Sequence, residues 1–214
     1  LKYPVITLPL NIRIYVNNTD TLDINIPDMF ERREYSLHRG FIPRRGETVV
    51  DVGAYVGIYS LWSSRLVGDD GMVIAFEPNP ETYYWLINNI KLNNANNIHP
   101  MPYALGDSIG TAELYIPKTN IEASSLIKDH LLKNPIGNLG LLKHFRVPVI
   151  TLDYFLGNAR RFIGRDVNGI DIMKIDVEGY ELKVLMGAEK ALSKGDIIIN
   201  NHVNLIQFSK QISN

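Results

Sequence analysis

Cysteine is absent from the 214 residues, and with it go disulfides, Cys-ligated zinc and every mechanism that runs through a thiolate nucleophile. The covalent route to carbon-5 of cytosine is among those excluded. An Asn-Pro-Pro-Tyr run, which would suit methylation of an exocyclic base amine, is missing as well. Charge bias is slight: the formal net charge is -1, so no chain-wide field draws nucleic acid or an anionic membrane. Nucleic acid is therefore not an expected partner. No apolar run approaches the roughly 20 residues that cross a bilayer. Residues 1–10 are interrupted by Pro4 and Pro9 and preceded by only one basic residue, Lys2, so neither a transmembrane segment nor a signal peptide is expected. A sequence without a leading Met is expected to be a fragment or a processed form, and one without cysteine fits a cytoplasmic setting.

What is present is a hydrophobic content of 45%, enough for one substantial core. Three short apolar stretches, 5–8, 11–16 and 22–26, are separated by Pro9 and by Asn17-Asn18-Thr19-Asp20, which predicts a small β-meander. Pro27-Asp28 then opens a predicted helix to about residue 37, and Pro43-Arg44-Arg45-Gly46 turns into the next strand. This divides the chain into an appendage, 1–45, and a main domain, 46–214. In the main domain strands at 48–52, 72–77 and 98–104 alternate with helices at 56–67 and 80–92. Such alternation predicts βαβ units on a mostly parallel sheet, a doubly wound α/β fold. The first helix gathers Ile58, Leu61, Trp62 and Leu66 on one face, the second Tyr83, Leu86, Ile87 and Ile90. A strand at 111–116 and a loop-rich insertion at 117–146 follow. Alternation resumes with a strand at 171–177, a helix at 180–192 facing inward through Leu182, Leu185, Met186 and Leu192, and a strand at 196–200. The Asn-rich stretch 88–97 reads as a helix end and a polar loop.

Chemistry concentrates at the first strand-to-helix turn, Asp51-Val52-Gly53-Ala54-Tyr55-Val56-Gly57. Glycines there let backbone N–H groups approach a ligand that a Cβ would exclude. A pair of glycines also serves a tight turn and close helix–sheet contact, with no ligand at all. Glu77, at the end of the next strand, is placed to accept hydrogen bonds from both hydroxyls of a ribose. A nicotinamide cofactor would use the same geometry but wants three close glycines for its pyrophosphate. The spacing Gly53 to Gly57 and the leading Asp51, suited to a cationic ammonium, favour S-adenosylmethionine.

The runs Val49-Val50-Asp51-Val52-Gly53-Ala54-Tyr55-Val56-Gly57, Ala75-Phe76-Glu77-Pro78-Asn79-Pro80, Tyr103-Ala104-Leu105-Gly106-Asp107 and Lys174-Ile175-Asp176-Val177-Glu178-Gly179, with Glu34-Tyr35, Ser124-Ser125-Leu126, Thr151-Leu152-Asp153 and Leu185-Met186-Gly187-Ala188, resemble the FkbM-type methyltransferases. The resemblance covers about residues 30–202. It implies a class I methyltransferase, Rossmann-like fold, S-adenosylmethionine as donor with S-adenosylhomocysteine as product, and transfer to a hydroxyl oxygen of a small molecule, sugar or lipid. It further implies that Gly53, Ala54, Gly57, Glu77 and Pro78 line the cofactor, with Ala104 and Leu105 near the adenine; Asp51, Tyr55 and Asn79, in the same turns, are further candidate cofactor residues. Two positions depart from the family pattern: Tyr55 stands where Asn is common, and Asn200 where an acidic residue usually precedes the His matching His202. The last two strands of the fold are expected to lie beyond this sequence.

Asp176 and Glu178 fall at a strand's carboxyl end, where ligands of doubly wound sheets react, and alternation aims both the same way if the strand runs that far. Asp176, Glu178 and His202 are the candidate bases. Glu178 also suits a helix start, and His202 a surface position. Lys174, deeper along the strand, is expected to pair with a carboxylate. Asp176, Asn200, Asn201 and His202 form a weaker candidate metal set, and no metal is expected. Arg32, Arg33, Arg39, Arg44 and Arg45 read as a solvated face or an anion receptor, and Ser124-Ser125 as part of a lid or a surface excursion. Three functions stay open: an O-methyltransferase, a cofactor-binding module without turnover, and a nicotinamide oxidoreductase.

Overall fold

The computed structural model describes residues 3–16, 21–117, 124–127, 143–194 and 197–201. At its centre β3 (Thr48–Val52) and β4 (Met72–Phe76) lie side by side in parallel register, Val50 opposite Ile74. Their unbroken apolar runs reflect burial on both faces, as a parallel sheet between helical layers demands. β5 (Ile98–Met101) extends the sheet beyond β4, while β9 (Ile172–Ile175) and β10 (Ile198–Asn201) extend it beyond β3, giving the parallel order β10-β9-β3-β4-β5. The order reverses at β3, so the chain leaves β3 and β9 toward opposite sides and opens a crevice at their carboxyl ends.

Helices α1 (Ile58–Val67) and α2 (Pro80–Leu92) cross the sheet as their periods predict. Asn79 caps α2, its Oδ1 accepting the Glu81 N–H at 3.0 Å, and Pro80 supplies a first position that needs no donor. Leu86 is fully buried on the predicted face. Expectation and structure part at residue 102. The predicted strand 98–104 is two pieces, because Pro102 and Tyr103 carry the chain out of the main sheet; β6 (Ala104–Leu105) instead joins β7 (Gly110–Ile116) and β8 (Lys143–Ile150) in a second sheet ordered β6-β8-β7. The predicted insertion to residue 146 thus ends in strand β8, which pairs antiparallel with β7.

Short helices α3 (Leu152–Gly157) and α4 (Ala159–Ile163) lead to β9, and α5 (Glu181–Met186) and α6 (Glu189–Leu192) lead to β10. The single helix predicted over 180–192 is broken at Gly187, where an added Cβ would stand 1.9 Å from the Gly106 carbonyl oxygen. The buried face differs from the predicted one as well: Val184 and Ala188 are fully buried, whereas Leu182 and Met186, predicted inward, are exposed.

The amino-terminal segment is a hairpin, β1 (Val5–Leu8) with β2 (Ile12–Tyr15), and not a three-stranded meander. Its expected third strand is a wide helical turn, Thr21–Asn25, followed by another, Pro27–Glu31. Arg33, in the left-handed region at φ 60°, cuts the helix expected to reach residue 37. Ile12 and Ile14 are fully buried in the same core as Val49, Leu61 and Leu86. The Asn-rich stretch contributes to this docking: Asn93 Oδ1 accepts the Arg13 N–H at 2.8 Å and Asn89 Oδ1 the Tyr15 N–H at 2.9 Å, one helical turn apart.

Candidate functional site

Three strand ends meet at the crevice. Past Val52, Gly53 turns at φ 79°, and the N–H groups of Gly53 and Ala54 both donate to the Phe76 carbonyl at 3.0 Å. Any side chain at Gly53 would collide with the end of β9, since its Cβ would lie 2.0 Å from the Asp176 carbonyl oxygen. The glycine is thus required by a strand crossing and by its positive φ together. Tyr55 also sits in the left-handed region, at φ 52°. That conformation turns its N–H onto Glu77 Oε2 at 2.7 Å, while the Asn79 N–H reaches Oε1 at 2.8 Å. Glu77 is a clasp between the β3 and β4 loops. Burial pushes its carboxyl up to about 7, against the opposing pull of the Asn79 and Tyr55 N–H groups.

Behind the loop runs a buried ionic chain. Lys174 Nζ stands 3.1 Å from Asp51 Oδ1, 3.7 Å from Asp176 Oδ2 and 2.7 Å from the Gly53 carbonyl. Burial alone would pull the ammonium down; Asp51 and Asp176 outweigh it and hold Lys174 above its ordinary value. Asp51 Oδ2 also accepts the Ser60 hydroxyl at 2.6 Å. The Tyr35 hydroxyl, 141 residues away in sequence, donates to Asp176 Oδ2 at 2.8 Å, and its ring lies 5.7 Å from Lys174 Nζ and 5.3 Å from the Tyr59 ring. Burial, then the charge and hydrogen bond of Asp176, raise the Tyr35 phenol well above its usual range, so it stays a donor. Asn200 Nδ2 donates to the Tyr35 carbonyl at 3.1 Å. The residue that departs from the family pattern therefore ties β10 to the amino-terminal segment.

Of the residues singled out in sequence, Gly53, Ala54, Tyr55, Glu77, Pro78 and Asn79 line one cleft, joined by Ala104 and Leu105. Asp176 and Glu178 line it as well. Two others do not reach it. Asp51, expected near a cationic ammonium, is fully buried behind the turn on Lys174 and Ser60. Gly57 faces α2, where its Cβ would lie 2.6 Å from Leu86 Cδ1, so its role there is close helix approach. β9 stops at Ile175, and Glu178 lies beyond it at φ 51°, so the shared strand face expected for Asp176 and Glu178 does not form. His202 lies outside the described residues. Among those described, no three His, Asp or Glu side chains gather as metal ligands. Nor, among them, is any helix long and apolar enough to cross a membrane.

Residues the sequence reading left without a role also line the cleft: Ile24, Asn25, Asp28 and Met29 from the amino-terminal turns, with Tyr35 and Tyr59. Tyr35 was visible only as part of a motif, because nothing local marks a partner so distant. One orphan stands out. Asn79 Nδ2 is buried with no partner among the described residues, since the cap occupies only Oδ1.

A five-stranded parallel sheet with this strand order, an acidic clasp at its second strand end and a glycine turn at its first define a class I methyltransferase fold. The Methyltransferase FkbM domain matches residues 51–213. The chain belongs to the FkbM family of S-adenosylmethionine-dependent methyltransferases. A crystal structure of the methyltransferase FkbM from Methylobacillus flagellatus superposes with a TM-score of 0.52 at 19% identity, over 87% of this chain and 43% of that one. Methyltransferase 1 of Beauveria bassiana is 27% identical over 66% of this chain and 58% of its own length. The hexuronic acid methyltransferase AglP of Haloferax volcanii is 29% identical over 70% of this chain and 53% of its own. The chain thus spans a little over half the length of these curated relatives.

Proposed function

We propose that this chain transfers a methyl group from S-adenosylmethionine to a hydroxyl oxygen of a small molecule, sugar or lipid. The observation that carries the reading is the meeting, in one cleft, of the Glu77 clasp with the Asp176 carboxylate. The residues fit the donor. Each Glu77 oxygen accepts one backbone N–H, the Thr82 hydroxyl adds a side-chain hydrogen bond, and the remaining acceptor capacity suits a ribose hydroxyl. Asn79 Nδ2 is a buried donor awaiting an acceptor, and Ala104 and Leu105 supply an apolar edge for a purine.

S-adenosylmethionine, when bound, supplies an electrophilic methyl on a sulfonium. The chain's task is then alignment and exclusion of water. Gly53, Ala54 and Tyr55 form the wall at the β3 end, close against Asp176. Asp176 has Oδ2 fixed by Tyr35 and approached by Lys174, which would leave Oδ1 to take the proton of the acceptor hydroxyl as the carbon–oxygen bond forms and the methyl carbon–sulfur bond breaks to leave the thioether S-adenosylhomocysteine. Glu178 lines the same region as a second candidate, and His202 is the third.

Calorimetry tests the donor site. S-adenosylhomocysteine is expected to bind the protein and NAD to leave that binding unchanged; no binding overturns the reading, and displacement by NAD overturns it in favour of a dinucleotide. Transfer of a labelled methyl group to any hydroxylated acceptor separates an enzyme from a binding module without turnover. That second reading is favoured by Asn200, whose carboxamide holds Tyr35 where the family usually places an acid.

A further inference from the structure

We propose that the wall formed by residues 24–35 is the acceptor side of the cleft and that it selects an uncharged, hydroxyl-bearing acceptor with an apolar neighbour over an anionic one. The inference rests on the methyl-transfer reading above and gives it a substrate class. The two walls of the cleft differ in origin. The turn after β3 and the clasp after β4 lie within residues 51–213, which the family model matches, whereas Ile24, Asn25, Asp28 and Met29 precede both that match and the family resemblance, which takes in Glu34-Tyr35. Asp176 stands at the junction, with Tyr35 of the second wall holding its Oδ2. An acceptor whose proton goes to Asp176 lies beside Tyr35, where the wall of residues 24–35 meets the cofactor side of the cleft.

The chemistry of that wall is specific. Ile24 and the nearly buried Met29 give it an apolar strip, and Asn25 gives it a neutral hydrogen-bonding group. Its ionisable groups are Asp28, the Tyr35 phenol and, at the junction, Asp176, and Glu178 lines the same cleft. Lys174 is the one cation among the described lining residues, and it is held by Asp51 and by the Gly53 carbonyl. Arg32 pairs with Asp28, but its side chain is 58% exposed and does not line the cleft. An anionic acceptor would lose its hydration with no described cation to receive it, and would face Asp28 and Asp176 as like charges. A neutral hydroxyl meets acceptors and a carboxamide, and an alkyl or ring face meets Ile24 and Met29.

The test measures binding of octyl glucoside and octyl glucuronide, each below its micellar concentration, to the protein saturated with S-adenosylhomocysteine. The pair differs in one carboxylate. The glucoside is expected to bind at least roughly tenfold more tightly, less than a bare like-charge contact would give because Arg32 and Lys174 partly offset Asp28 and Asp176. Equal or tighter binding of the glucuronide overturns the proposal, and so does failure of both to bind. Failure of S-adenosylhomocysteine itself to bind instead removes the methyl-transfer reading beneath it. Asp28→Asn supplies the second arm: it leaves Arg32 uncompensated, and the glucoside preference is expected to fall several-fold while S-adenosylhomocysteine affinity stays within about twofold. An unchanged preference in that variant places the selection elsewhere and overturns the role given to residues 24–35.

Discussion

Lys174 and Asp51 meet at 3.1 Å with side chains 5% and 0% exposed. In such a setting the loss of one partner costs more than the loss of both, because a lone buried charge keeps its full desolvation penalty. Lys174→Met is expected to destabilise the protein by about 3–5 kcal/mol, and Asp51→Asn combined with it to recover a large part, as read by urea denaturation. Equal stability of the single and double variants would show that the pair is not coupled. Glu77 makes a prediction of the opposite sign. Its folded value of about 7 lies above the ordinary 4.5. Stability drawn from its protonated form is therefore complete below about 4.5 and is lost as pH rises through about 7. A ribose needs the ionised form, so affinity for S-adenosylhomocysteine should rise about tenfold between about pH 6 and about pH 8. Glu77→Gln should bind weakly with no such slope, because its carboxamide nitrogen would face one of the two backbone N–H groups.

At the scale of elements, Gly57 shows how a motif glycine serves architecture. It starts α1 at φ 92°, and its Cβ would press to 2.6 Å from Leu86 Cδ1 of α2. Gly57→Ala is expected to cost about 2–3 kcal/mol, part from the left-handed backbone and part from overpacking. Adding Leu86→Ala should cost less in that background than in the parent, since it relieves the clash; simple additivity in thermal unfolding would contradict this. The same scale explains what the sequence made legible. β3, α1, β4 and α2 each carry a clean period and a turn signal, and they appear within two residues of expectation. β8 is not legible in the sequence because Pro148 argues against a strand. It is tolerated there since β6 reaches only Val149 and Ile150, leaving one side of β8 open at Pro148. The break at Gly187 is likewise set by a crossing with Gly106, 81 residues earlier, which no local period records. In the site, Gly53 and Glu77 were legible from the turn they occupy. Tyr35 and Asp28 were not, because their place depends on how the first segment folds back over β9.

That fold-back bears on the whole molecule. A division into an appendage at 1–45 and a domain at 46–214 follows the sequence rhythm, yet Ile12 and Ile14 are fully buried in one core with Val49, Leu61 and Leu86. Tyr35 reaches Asp176 and receives Asn200, so the segment touches β9 and β10 as well as α2. Removing residues 1–45 would bare the face of α2 that carries Asn89 and Asn93, both buried, and leave their side-chain acceptors unmatched. Burying two large aliphatic side chains contributes roughly 3–6 kcal/mol, a large share of the 5–15 kcal/mol by which a domain of this size is stable. We therefore expect residues 1–214 to unfold in a single transition and residues 46–214 to be insoluble or to melt at least about 10 °C lower. A truncated protein that melts with the full chain and still binds S-adenosylhomocysteine would establish an independent domain. It would also make the acceptor wall a separable addition to a self-sufficient cofactor site.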